Sequence, residues 1–181
     1  LNYSDIRDLS GLQLFNEQFF QVEHKFSRKW KGKLGLQMVT YNQSIYEGKD
    51  PKKIDDVKTF TPFGEVTYKI NRKNSIRLES QMLNTEQDLG SFYHGILEWN
   101  NSPKYTIAIS NMINTNPVRI VNPTLANQVL YYPGVFVKYN VKTTSFTAAY
   151  VKQVEGINCT GGICRLEPAF SGLRFTLSTQ F

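Results

Sequence analysis

Residues 58–83 read KTFTPFGEVTYKINRKNSIRLESQML. In this stretch Val66, Tyr68 and Ile70 alternate with Glu65, Thr67 and Lys69; after NRKN, Ile76, Leu78 and Met82 alternate with Arg77, Glu79 and Gln81. Successive side chains of a strand point to opposite faces, so a period of two on both sides of a polar turn predicts a β-hairpin with one apolar and one polar face. The pattern recurs at residues 91–112, SFYHGILEWNNSPKYTIAISNM, and at 134–151, GVFVKYNVKTTSFTAAYV. Carried to both ends it predicts about nine strands, near 13–26, 30–43, 58–70, 75–84, 91–100, 104–114, 130–141, 145–154 and 169–181. No segment with a helical period competes.

The composition suits strands. Aromatic residues make up 13% of the 181 residues, with ten Tyr and twelve Phe, and aromatic side chains fit a pleated surface. No run of apolar residues is long enough for a transmembrane helix, and the first residues, LNYSDIRDLSG, lack the basic start and apolar middle of a signal peptide. The net charge of +6 permits a nucleic-acid or anionic-membrane partner. Only KFSRKWKGK (25–33) concentrates that charge, and a stacking platform needs aromatics interleaved with basic residues over one surface. A solvated turn accounts for the cluster, so no nucleic-acid partner is expected.

The connections carry a second regularity. Short turns near 27–29, 71–74, 101–103 and 142–144 alternate with longer loops near 44–57, 85–90, 115–129 and 155–168, which places every short turn at one end of a meander. Outer-membrane barrels have that asymmetry. The polar face carries charges at mid-strand, Lys69, Arg77, Glu79, Glu98, Lys138 and Arg174, as a hydrated lumen would. The apolar face carries Phe60, Tyr68, Trp99, Tyr105, Tyr139 and Phe181 near strand ends, as an interfacial girdle would. Alternation alone does not say which face is outside, and a soluble lipocalin-like barrel would also put charges on one side. Taken together these features predict an all-β fold, an antiparallel up-and-down transmembrane β-barrel, in the bacterial outer membrane. Bacterial barrels normally close with an even number of strands. Nine therefore predict that residues 1–181 are one portion of a larger barrel, its C-terminal part, with an odd number of strands upstream and residues 1–12 in an outer loop.

The chain closes with CTGGICRLEPAFSGLRFTLSTQF, residues 159–181. Leu173, Phe175, Leu177, Thr179 and Phe181 share one side of the last strand, while Arg174 lies on the other. An alternating last strand that ends in Phe resembles the signal that barrel-assembly machinery engages during insertion. Cys159 and Cys164 are the only cysteines, and Gly161 with Gly162 can adopt the positive φ angles a small ring needs. The spacing predicts a disulfide in an oxidising compartment; two reduced thiols in a loop are the alternative. It is not the C-x-x-C of a redox enzyme. A zinc site needs about four ligands, and His24 and His94 are remote in sequence, so neither metal nor cofactor is expected.

The order Y-V-K-Q-x-E-G-x-x-C-x-G-G-I-C-R-x-x-P-A-x-x-G-L-x-F-T-L-S-T-x-F, from Tyr150 to Phe181, resembles the C-terminus of a Bacteroidota family of outer-membrane β-barrel proteins of unknown function. The likeness extends back toward Asn74 through SIRLESQMLNTEQDLGSFYHGILEW. It implies a barrel in the outer membrane and transfers no activity.

Catalysis has little to stand on. His94 is the better of two candidate bases, with Ser80 and Ser91 as conceivable nucleophiles across the sheet, but a lone strand histidine more often satisfies a lumen hydrogen bond. Glu79 and Glu98 form a conceivable carboxylate pair, for which nearby Arg77, Lys69 and Lys138 make ion pairing the expected role. No catalytic residue is assigned. The first expectation is a non-enzymatic outer-membrane barrel, an accessory or scaffold subunit of an envelope complex that contacts lipid, lipopolysaccharide and other outer-membrane proteins. A porin-like channel for small solutes is the second, with Phe92 and Phe136 arguing for a plugged interior. A soluble secreted barrel that binds a small apolar ligand is the third.

Overall fold

The computed structural model describes residues 15–42, 56–87, 89–117, 128–154, 156–160 and 163–180; for residues 116, 156–160 and 163–167 only the backbone is described. Residues 1–12, most of the loops expected at 44–57 and 115–129, Gly161, Gly162 and Phe181 lie outside the described residues.

Among the described residues nine strands form one antiparallel sheet. They are β1 (Phe15–His24), β2 (Trp30–Tyr41), β3 (Val57–Lys69), β4 (Asn74–Leu83), β5 (Ser91–Asn101), β6 (Tyr105–Asn116), β7 (Leu130–Val141), β8 (Thr144–Gln153) and β11 (Phe170–Thr179). Each lies next to its neighbour in sequence except that β11 follows β8. No helix occurs among the described residues. The expected loop at 155–168 instead holds a separate ribbon, β9 (Gly156–Thr160) paired with β10 (Ile163–Glu167). Its strands are only five residues long, too short for a period of two to stand out from a loop.

The barrel expected from the sequence is not closed. No ladder joins β1 to β11, so both are edges of an open sheet. Nine alternating strands make these two edges run the same way, and direct antiparallel pairing between them is impossible.

Local chemistry explains the tight ends. Asn71 Oδ1 accepts hydrogen bonds from the backbone N–H groups of Lys73 and Asn74, both at 2.9 Å, and closes the β3–β4 turn. Ser27 Oγ does the same for Lys29 and Trp30 between β1 and β2. The β5–β6 turn closes with Lys104 N–H donating to the Asn101 carbonyl at 2.8 Å. Between β7 and β8, Lys142 takes a left-handed φ of 51°. Successive turns are tied side by side. Lys69 N–H donates to the Lys29 carbonyl, Ser102 to Lys73, Asn140 to Lys104 and Gln180 to Thr143.

Little apolar surface is buried in this sheet. Among the described residues, Val57 is the one fully buried apolar side chain, whereas Leu173, Phe175 and Leu177 are 66%, 73% and 65% exposed. On β7 the exposed positions are Tyr131, Pro133, Val135, Val137, Tyr139 and Val141, and the shielded ones include Lys138 and Asn140. Across β2 to β8 the outward face is mainly apolar, and the sheltered face carries the mid-strand charges together with several aromatic side chains. The edges β1 and β11 are exposed nearly throughout.

Candidate functional site

The sheltered face is built row by row from the ladder registers. Lys33 pairs with Glu65, Glu65 with Glu79, and Arg77 with Glu98 across the β2–β3, β3–β4 and β4–β5 ladders. Directly opposed residues of antiparallel strands bring their side chains onto one face within contact range. Long charged side chains from four strands therefore converge.

Arg77 is the centre. One terminal nitrogen, Nη2, donates to Glu98 Oε2 at 3.0 Å, while Nη1 is shared between Glu79 and Glu65, the latter at 3.3 Å. Lys33 Nζ reaches the same Glu65 oxygen at 3.4 Å. Two cations thus face three carboxylates. The planar fork of arginine can serve carboxylates on several sides at once, as the point charge of a lysine cannot. The side chains of Arg77 and Glu65 are 27% and 16% exposed, so these contacts are less screened than those of an ordinary surface pair. Lys31 and Glu23 form a more exposed pair at 2.9 Å on the β1–β2 side.

Toward the loop end the same face turns aromatic. Phe19 and Phe63 stack with centroids 5.7 Å apart, and the Phe63 ring covers Gly35, where a β-carbon would collide with it. Phe92 and Tyr132 lie 6.4 Å apart. Gln81 Nε2 and His94 Nδ1 are 3.0 Å apart between the charged and aromatic zones. Phe136 sits between Ala108 and Ala149 in register, on the sheltered face.

The expected site residues are distributed as follows. Arg77, Glu79 and Glu98 come together in one network; Lys33 and Glu65, which sequence reasoning did not single out, complete it. Their signal was the match of charge across a ladder, visible only once the register is known. Lys69 lies at the turn end of β3, Lys138 on β7 and Arg174 on β11, and none has a carboxylate within ion-pair range among the described residues. Arg174 instead lies 5.9 Å from the Phe170 ring centroid. Glu79 and Glu98 are bridged by Arg77.

The conceivable Ser–His pairing is not assembled. Ser80 Oγ donates to Tyr93 Oη at 3.0 Å on the outward face, opposite the side on which His94 meets Gln81. Ser91 Oγ is engaged with the backbone of Thr85, as donor at 3.0 Å and acceptor at 3.1 Å. Cys159 and Cys164 are directly opposed in the β9–β10 ladder. Opposed Cα atoms in such a pair are about 4.5–5.5 Å apart, within the span of a disulfide.

The outward face is the second surface. It carries Leu173, Phe175 and Leu177 on β11, Val135 and Val137 on β7, and Ile107 and Ile109 on β6, all exposed. An open hollow of about 370 Å³ lies on it, with Val137, Tyr139, Phe146, Ala148, Phe175 and Leu177 among its walls. At the turn end stand Trp30 against Tyr68, with centroids 4.5 Å apart, Trp99, and Tyr105 stacked on Tyr139 at 4.9 Å. Toward the loop end stand Phe60, Tyr93, Tyr131 and Tyr150. Between Tyr131 and Tyr139 on β7 the outward positions are Pro133, Val135 and Val137, with no charge.

No curated protein and no solved structure matches this chain. The sequence profile of one family matches residues 4–181, nearly the whole length. The chain therefore belongs to DUF6029, a family of unknown function.

Proposed function

We propose that this chain spans the bacterial outer membrane as part of an antiparallel β-barrel and serves there, without catalysis, as a scaffold or accessory subunit of a cell-envelope complex. The observation that carries the proposal is the exposed apolar face flanked by aromatic side chains at both ends. In water such a contiguous apolar face would be a standing aggregation surface. In hydrocarbon it is the solvated side. The outward stretch from Tyr131 to Tyr139 rises ~26 Å along the strand, or ~20 Å in height at a ~40° tilt, close to the ~25 Å apolar band of outer-membrane barrels.

Strands embedded in lipid must have every backbone group paired, so the two edges need partners. An odd number of further strands between β11 and β1 restores antiparallel closure. The apolar side of β11, Leu173, Phe175 and Leu177, is the surface that barrel-assembly machinery would read during insertion. Lipid and lipopolysaccharide contact the outward face, and other outer-membrane proteins are the partners of a scaffold. The Cys159–Cys164 pair closes as a disulfide in the oxidising envelope.

The Arg77 network and the Phe19–Phe63 and Phe92–Tyr132 pairs favour a filled interior over a conducting one. Lys138, on the sheltered face, and Arg174, exposed on the same side of edge strand β11, have no carboxylate partner among the described residues and favour the second reading, a channel for small solutes. Planar-bilayer recording separates the two, since a scaffold is silent and a channel gives discrete steps. Reconstitution tests the membrane itself. Folding that proceeds in lipid vesicles or detergent and fails without them is expected; a monodisperse, folded protein in plain buffer would instead favour a soluble barrel.

A further inference from the structure

The four tight turns at one end of the sheet carry charge of a single sign. The β1–β2 turn holds Lys25, Arg28 and Lys29, the β3–β4 turn Arg72 and Lys73, the β5–β6 turn Lys104 and the β7–β8 turn Lys142; no Asp or Glu lies in any of them. All seven basic residues are exposed. The turns are not independent of one another. Backbone hydrogen bonds of 2.8 Å join the first to β3, the second to the third and the third to β7, which sets the charges along one continuous rim. Directly above that rim, on the outward face, stand Trp30, Tyr68, Trp99, Tyr105 and Tyr139.

We propose that this rim is a docking surface for the headgroups of anionic phospholipids in the leaflet on the short-turn side. The proposal rests on the membrane reading above and adds a lipid class to it. Aromatic side chains that are apolar on one side and polar at the tip settle at headgroup level. A ring of lysine and arginine immediately beyond them therefore lies at the depth of the lipid phosphates. Basic residues at a membrane surface attract anionic lipid, and the attraction falls off within a Debye length. Charge complementarity selects the occupant: neutral lipid gains nothing from a rim of one sign, and the adjoining apolar face needs acyl chains, which a soluble polyanion does not have.

The only two tryptophans, Trp30 and Trp99, both belong to the belt next to the rim and give the readout. With the protein reconstituted in phosphatidylcholine vesicles, their fluorescence is quenched by brominated phosphatidylglycerol or by brominated phosphatidylcholine at equal mole fraction. The expected result is an apparent association about fivefold in favour of the anionic lipid at low salt, falling toward parity in ~1 M salt, where the Debye length shrinks to ~3 Å. Neutralising the rim with Arg28→Gln, Lys29→Gln, Arg72→Gln, Lys73→Gln, Lys104→Gln and Lys142→Gln abolishes the preference, and replacing the lysines by arginine keeps it. If the sixfold variant does not insert, Lys104→Gln with Lys142→Gln alone halves the preference or more. Equal quenching by both lipids would overturn the proposal while leaving the protein in the membrane. Quenching by neither lipid would overturn the membrane reading and this proposal with it. A single-stranded oligonucleotide at matched phosphate concentration leaves the ratio unchanged; if it abolished the preference, the rim would belong to a polyanion and not to lipid.

Discussion

Val135 and Val141 offer a matched pair for testing where this sheet resides. Both lie on β7, both face outward, and they are nearly equally exposed, at 44% and 40%. Arginine introduced at either position of a water-soluble protein replaces one exposed side chain by another and changes stability by about 0.5 kcal/mol or less. In a bilayer the two positions are not equivalent. Val135 is midway between Tyr131 and Tyr139, so at a ~40° tilt it lies ~10 Å in height from each aromatic belt, near the midplane. Val141 is six positions further on, ~20 Å along the strand and ~15 Å in height, at the interface. Val135→Arg is expected to cost ~2–4 kcal/mol and Val141→Arg ~0–1 kcal/mol. Denaturant titration of each variant folded in lipid vesicles, followed by tryptophan fluorescence, measures the difference. Costs equal to each other within ~0.5 kcal/mol would refute the depth argument and with it the hydrocarbon contact of this face.

Three further outcomes are expected. Arg77→Gln leaves Glu65, Glu79 and Glu98 with Lys33 as their remaining cation and lowers stability by about 1–3 kcal/mol; adding Glu98→Gln recovers part of the loss, and a double variant no better than the single one would show that the network is not coupled. Lys142→Gly relieves a left-handed φ of 51° and changes stability by between 0 and about +1 kcal/mol in the same titration, whereas clear destabilisation would mean that the turn does not adopt that conformation. Neither Cys159 nor Cys164 reacts with an alkylating reagent before reduction and both react after it; labelling of the unreduced protein would show free thiols.

The amino-acid sequence by itself determined the nine strands of the main sheet, though not the short β9–β10 ribbon, together with their order along a meander and the membership of each face. Val66, Tyr68, Leu78 and Leu97 fall on one side and Glu65, Arg77 and Glu98 on the other because side chains alternate with the backbone pleat, a local property that no packing can alter. Position in the sequence also put every tight turn at one end. What the pattern left open was which side faces outward, since alternation is unchanged when the two faces are exchanged. Only the tertiary structure decided it: the side chains of Arg77 and Glu65 are 27% and 16% exposed, whereas Leu78, Leu97 and Val135 on the opposite face are 54%, 45% and 44% exposed. Ladder register, likewise invisible in a single strand, brought Lys33 to Glu65 across a separation of 32 residues and Arg77 to Glu98 across 21. The open edges at β1 and β11 follow from strand count and direction taken together, because two parallel-running edges cannot close an antiparallel sheet on themselves.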